Sequence, residues 1–158
     1  MFAATLNPGS DPADKPSVTP EQILAGKKIL LIDDEVHVVS VLTVAFQKAG
    51  AVVITSDEGG EGYRKAVFER PDLVVVDYQI PGMDGLELAN KLGGNHLTSN
   101  IPILLLTARG HSLNVDQVTG AGMHHVFSKP FSPRQVLAVA AQMISPAATA
   151  EGTPPAAA

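Results

Sequence analysis

Leu73-Val74-Val75-Val76 is an unbroken apolar run that stops on Asp77, and a Pro81-Gly82 turn and an Asp84-Gly85 pair follow at once. Consecutive apolar, mostly β-branched residues bounded by Pro71-Asp72 and Asp77 fit a strand buried on both faces. Such strands belong to parallel sheets with helices on either side. The first polar residue after the run marks the carboxyl end of the strand, where open α/β sheets build their sites. Asp77 thus either occupies a functional position or merely ends a strand and starts a turn. Segments far off in sequence bear on the choice.

Lys27-Lys28-Ile29-Leu30-Leu31-Ile32 is a second buried strand, and it ends in Asp33-Asp34-Glu35. The valine-rich stretch Val36 to Ala49 tolerates a strand by propensity. Yet Val38, Leu42, Ala45 and Ala49 recur at helical spacing, Gly50 is a good stop, and a parallel sheet needs a crossover here. A helix is expected. Ala51 to Thr55 forms a short strand and Asp57 to Glu69 an amphipathic helix with Tyr63, Ala66 and Val67 inward. Asp84, a capping residue, opens a helix through Leu92 that ends at Gly93-Gly94. Pro102 to Leu106 is a fourth strand, ending in Thr107. A weak helix covers Leu113 to Thr119, and His125 to Ser128 is a fifth strand, ending in Lys129-Pro130. Ser132-Pro133 starts a last helix that buries Val136, Leu137, Ala140 and Ile144. The expected fold is α/β: a doubly wound five-stranded parallel sheet, flavodoxin-like, in the order 2-1-3-4-5, with helices on both faces.

Residues 1–25 carry Pro8, Pro12, Pro16 and Pro20 among small polar residues and read as a flexible N-terminal arm, within which Thr19-Pro20-Glu21-Gln22 can start a short helix. Residues 26–144 form the folded domain, and 145–158 an Ala/Pro-rich disordered tail. At 158 residues the chain can bury a real core. It has no cysteine, so thiol catalysis and zinc–thiolate sites are excluded. A net charge of −5 argues against a direct nucleic-acid contact. No apolar run reaches the ~20 residues of a membrane helix, and no secretory signal is evident, so a cytoplasmic location without membrane contact is expected.

In the order 2-1-3-4-5 the strand ends are neighbours. Asp77 is central, Asp33 and Asp34 lie on one side of it, and Thr107 then Lys129 lie on the other. Carboxylates gathered in one pocket raise each other's pKa unless something offsets the charge. Mg2+ suits one or two carboxylates plus waters and a phosphoryl group. The backbone carbonyl of Gln79 is a further candidate ligand. Lys129 can pair with Asp77 or with a phosphoryl oxygen, and the Thr107 hydroxyl can donate to the same oxygens. A carboxylate that accepts a phosphoryl group is known chemistry, and it needs mainly positioning and charge neutralisation.

Asp33-Asp34-Glu35, Asp77 with Pro81-Gly82-Met83-Asp84-Gly85, Thr107-Ala108 and Lys129-Pro130-Phe131 together resemble the receiver domain of two-component response regulators, of the chemotaxis-regulator kind. The resemblance spans about Lys28 to Ile144. It implies that Asp77 is phosphorylated by a sensor histidine kinase or phosphotransfer protein, and that Asp33, Asp34 and Asp77 hold Mg2+. It also implies that Thr107 and Lys129 bind the phosphoryl group, that the Lys129-Pro130 bond is cis, and that the switched surface meets a downstream effector protein or relays phosphate. On this view the chain is no enzyme beyond assisting its own phosphoryl transfer and slow dephosphorylation. Gln79 and Arg109 occupy positions that influence dephosphorylation in that family. One departure stands out: where the family often carries Tyr or Phe, this chain has Val126, and by strand alternation Phe127 faces the other way.

Three alternatives stay open. An aspartyl phosphatase typically has a second Asp two residues after the nucleophile, where Gln79 stands. A phosphorylation-independent interaction module of the same fold would not need the full acidic set with Lys129. The chain can also be the receiver piece of a larger regulator or hybrid kinase. Glu35 reads as the first turn of a helix rather than a ligand, the glycine pair Gly59-Gly60 as a loop, and the His124-His125 pair as poor metal geometry because strand neighbours point apart.

Overall fold

The computed structural model describes residues 19–108, 125–129 and 131–145. In chain order these residues form α1 (Pro20–Leu24), β1 (Lys28–Ile32), α2 (Val36–Lys48), β2 (Val52–Ser56), α3 (Gly59–Glu69), β3 (Leu73–Asp77), α4 (Gly85–Gly93), β4 (Ile103–Thr107), β5 (His125–Ser128) and α5 (Pro133–Ile144). The strands make one parallel sheet in the order β2-β1-β3-β4-β5, as the alternation of segments requires. The expected helix over Leu113 to Thr119, the residues Arg109 and His124, the cis bond to Pro130 and the tail beyond residue 145 lie outside the described residues.

Alternation along the strands sorts the core into two layers. Leu30, Ile32, Val74, Val76, Ile103 and Leu105 face α3 and α4, with Ala66, Leu88, Ala89 and Leu92 filling that side. Ile29, Leu31, Leu73, Val75, Leu104 and Leu106 face the opposite way, onto Leu42 and Phe46 of α2 and onto Val136 and Ala140 of α5. The valine-rich segment is helical because its Leu42 and Phe46 bury completely on this second face. Burial there overrides the β-propensity of its valines. Val126 packs in the first layer and Phe127 in the second, so Phe127 does point away from the α3–α4 side.

Residues 20–24 form α1, the short helix that Thr19-Pro20-Glu21-Gln22 can start, but they pack onto the domain rather than lie in a flexible arm. Thr19 and Gln22 make a reciprocal capping box, and Leu24 is wholly buried in the second layer. Closing the floor of that layer outweighs the flexibility suggested by the prolines. The Gly59-Gly60 pair is not a loop but the first turn of α3. The Glu58 side chain caps the helix by accepting from the Glu61 N–H, and the Gly59 N–H donates to the Pro81 carbonyl at 3.0 Å. Glycine is needed there by proximity, since a Cβ on Gly59 would sit 2.3 Å from Met83 Cγ.

The turn after β3 is fixed in the same manner. Asp84 caps α4 in a box with Glu87, as expected of it. The Gly85 N–H donates to the Tyr78 carbonyl at 2.7 Å. A Cβ on Gly85 would lie 2.9 Å from the Asp77 carbonyl oxygen and 2.8 Å from Leu105 Cδ1. Gly85→Ala must therefore push α4 off the end of β3, and urea unfolding should show a loss of about 2 kcal/mol, typical of overpacking. An unchanged unfolding midpoint would mean that the turn yields freely.

Candidate functional site

Parallel pairing sets the carboxyl ends of β1, β3, β4 and β5 along one rim. Asp77 pairs in register with Leu106, so Thr107 lies one step beyond it on the neighbouring strand. Thr107 pairs with Ser128, and the Lys129 N–H donates to the Thr107 carbonyl at 2.7 Å. Asp33 leaves β1 with its N–H on the Ser56 carbonyl at 3.0 Å. Asp33, Asp77 and Thr107 are all buried polar residues at this rim. The cleft above them measures about 730 Å³ and is lined by Asp34, Glu35, His37, Asp77, Gln79 and Lys129, with Val38, Val41 and Phe131 as its apolar wall.

The ammonium of Lys129 sits among three carboxylates. Its Nζ lies 2.6 Å from Glu35 Oε1, 3.3 Å from Asp77 Oδ1 and 3.5 Å from Asp33 Oδ2. Asp33 Oδ1 accepts from the Glu35 N–H at 2.9 Å. Among the described residues, Asp33 Oδ2 and the Thr107 hydroxyl are buried without a hydrogen-bond partner. Buried polar atoms in that condition are costly, and both border the cleft end of the sheet, where a ligand can satisfy them.

One cation does not balance three acids. Burial pushes the Asp77 carboxyl up from 3.8 to about 6, and the charge of Asp33 adds to that push, against the pull of Lys129. Burial likewise raises Asp33, more than the Glu35 N–H and the Lys129 charge lower it. For Lys129, burial acts downward, but the bond to Glu35 and the fields of Asp33 and Asp77 prevail and hold it above the ordinary lysine value. The arrangement thus favours the ammonium and leaves the carboxylates short of positive charge.

Asp33, Glu35 and Asp77 each offer an oxygen, and these oxygens lie within 4.8 Å of one another. Hard oxygen donors in excess of local positive charge fit a divalent cation such as Mg2+. Asp34 lines the cleft and is exposed, and Gln79 lines it beside Asp77. Glu35, read from the sequence as the first turn of a helix rather than a ligand, joins the cluster. It does stand at the start of α2, as its N-cap, but its backbone there is extended and its side chain makes no cap bond. The chain bends at Asp34, and the Glu35 N–H donates to Asp33 Oδ1 across that bend, which brings Glu35 back beside Asp33. Such a bend leaves no periodic signal in the sequence. Among the described residues no histidine joins a cluster able to hold a metal.

A family model described as the response regulator receiver domain matches residues 29–141. The chain belongs to that family. It is 36% identical over 115 residues to the phosphate regulon transcriptional regulatory protein PhoB of Pseudomonas aeruginosa, covering 73% of this chain and 50% of that protein. It is 32% identical over 108 residues to the sporulation initiation phosphotransferase F of Bacillus subtilis, covering 68% of this chain and 86% of that protein. The receiver domain of the sensor histidine kinase PA1611 of Pseudomonas aeruginosa, solved with a magnesium ion coordinated in its active-site cleft, superposes with a TM-score of 0.68 at 26% identity, over 76% of this chain and 98% of that one. The chain spans about half the length of the curated transcriptional regulators that it matches. Receiver domains are in general non-catalytic signalling domains that bind Mg2+ and interact with histidine kinases and effectors. No helix among the described residues is long and apolar enough to cross a membrane.

Proposed function

We propose that the chain is a phosphoacceptor response regulator that takes a phosphoryl group on Asp77 from a histidine kinase or phosphotransfer protein. The observation that carries this reading is the gathering of Asp77, Asp33 and Lys129 at the rim, with a buried, unbonded Thr107 hydroxyl on the next strand. A carboxylate oxygen of Asp77 attacks the phosphorus, and the bond from phosphorus to the donor imidazole nitrogen breaks. The electron pair returns to that nitrogen, and because the other ring nitrogen carries a proton, the donor leaves as neutral imidazole. With a pKa of about 6, Asp77 is ionised and nucleophilic above neutrality. Lys129 neutralises a phosphoryl oxygen and the Thr107 hydroxyl donates to another. Asp33, Glu35 and Asp77, with Asp34 and the Gln79 carbonyl alongside, are the groups that would hold Mg2+, which when bound supplies further positive charge to the transferring group. Hydrolysis reverses the modification: water attacks phosphorus, the acyl oxygen leaves with its pair, and inorganic phosphate and a proton are released.

Phosphorylation then biases the loops at the rim and the surface around β5, and the result is read by a downstream effector protein or passed on in a relay. The described residues are proposed to act through protein contacts rather than on nucleic acid or membrane, in a cytoplasmic setting. The similarity to DNA-binding regulators leaves an attached output domain as a second arrangement of the same receiver.

Intact mass after incubation with a small acyl phosphate tests the proposal. Wild type with Mg2+ should gain one phosphoryl group, and neither Asp77→Asn nor wild type in EDTA should gain any. Turnover of the donor with no adduct would point to a phosphatase. A folded protein that neither binds Mg2+ nor gains mass would be a phosphorylation-independent module.

A further inference from the structure

We propose that Glu35 is a positioning residue that anchors Lys129 before a phosphoryl group arrives and surrenders it on capture. The proposal rests on the phosphoacceptor reading of Asp77 and concerns how that site is set. Lys129 has three carboxylates within reach. Its shortest contact, 2.6 Å, is to Glu35, whose side chain is 58% exposed, and not to Asp77 or Asp33, whose side chains are 9% and 4% exposed. Charge pairs are stronger away from water, so the ammonium would be expected to settle on a buried acid. It leans outward instead.

The reason is local geometry. Glu35 caps α2 by position only, and its carboxylate makes no bond to the helix N–H groups. Its backbone N–H is taken by Asp33 Oδ1 at 2.9 Å, which fixes the residue directly above the acid. From there the longer Glu side chain meets Lys129 on the cleft side. The two other groups suited to a phosphoryl oxygen or a cation, the Thr107 hydroxyl and Asp33 Oδ2, are held without hydrogen-bond partners among the described residues. Lys129 reaches Asp33 Oδ2 only at ion-pair distance, 3.5 Å, and makes its shortest bond to Glu35.

Two consequences oppose each other. By drawing Lys129 outward, Glu35 weakens its competition with a cation for Asp33 and Asp77. By holding Lys129, it also makes phosphoryl capture wait for an exchange of partners. A phosphoryl group carries more charge than one exposed carboxylate and wins that exchange. Glu35 thus favours the metal and delays the phosphoryl group.

The test is a double-mutant cycle with Glu35→Gln and Lys129→Met, read in two ways. Mg2+ affinity is measured by calorimetry, and the rate of adduct formation from a small acyl phosphate is measured at saturating Mg2+. Lys129→Gln replaces Lys129→Met should the latter fail to fold. Glu35→Gln should weaken Mg2+ binding and speed adduct formation, each by about two- to fivefold, the scale of a partly exposed ion pair. The effect on adduct formation should largely disappear once Lys129 is gone, and the effect on Mg2+ should shrink to what Glu35 contributes as a ligand itself. An effect on Mg2+ that persists undiminished without Lys129 makes Glu35 a direct ligand only and overturns the anchor. So does a Glu35→Gln protein indistinguishable from wild type. Adduct absent from every variant sinks the phosphoacceptor reading, while the Mg2+ cycle still decides the anchor.

Discussion

Asp77→Asn will make the metal-free protein more stable, and the gain will depend on pH. The folded state binds the Asp77 proton more tightly than the unfolded chain does, because burial and Asp33 raise its pKa from 3.8 to about 6. Between these values the native state holds more protons, so stability falls as pH rises. Above the upper value the full cost of the buried charge is present, about 2–3 kcal/mol at pH 7.5 from a shift of about two units. Asparagine never ionises and escapes it. Urea unfolding in EDTA should therefore show Asp77→Asn ahead of wild type by that margin at pH 7.5. The two proteins should converge as pH approaches 4, where Asp77 is protonated. Equal stability at both pH values would mean that Lys129 compensates Asp77 in full.

Lys129→Met should act in the opposite sense. Among the described residues, Lys129 is the one cation within 4 Å of Asp33, Glu35 or Asp77. Breaking a buried pair by removing one partner costs about 3–5 kcal/mol. Because Glu35 and part of Lys129 meet solvent, about 2–3 kcal/mol at pH 7.5 is expected here. Two treatments should restore it: lowering the pH, which protonates the raised acids, and adding Mg2+, which replaces the lost charge. Thermal melts with and without Mg2+ would read this directly, the ion raising the midpoint of the variant more than that of wild type. A deficit that neither treatment repairs would assign the loss to the packing of the lysine stem.

The sheet was legible because each central strand is an apolar run with a polar stop. Ile29 to Ile32, Leu73 to Val76 and Ile103 to Leu106 could be buried only in a layer covered on both faces. The strand-end residues Asp33, Asp77, Thr107 and Lys129 were legible for the same reason, since the polar stops fall on one rim. Composition misled where packing decides. The end of the proline-rich stretch packs because Leu24 has a core to enter, and the Gly59-Gly60 pair is helical because Glu58 caps it, with Met83 leaving no room for a side chain at Gly59. Glu35 was set aside because its position at a helix start has an ordinary explanation, and the bend at Asp34 that brings its carboxylate near Asp33 and Asp77 leaves no periodic trace. Its hold on Lys129 joins residues 94 apart in sequence, which no local pattern can announce.

The bond from the Gly59 N–H to the Pro81 carbonyl, with Met83 seated against Gly59, carries one last implication. The segment that follows Asp77 is stitched to the first turn of a helix that starts from the edge strand of the sheet. The start of α3 and the turn after Asp77 therefore share one backbone hydrogen bond and one tight side-chain contact, so neither can be displaced without disturbing the other.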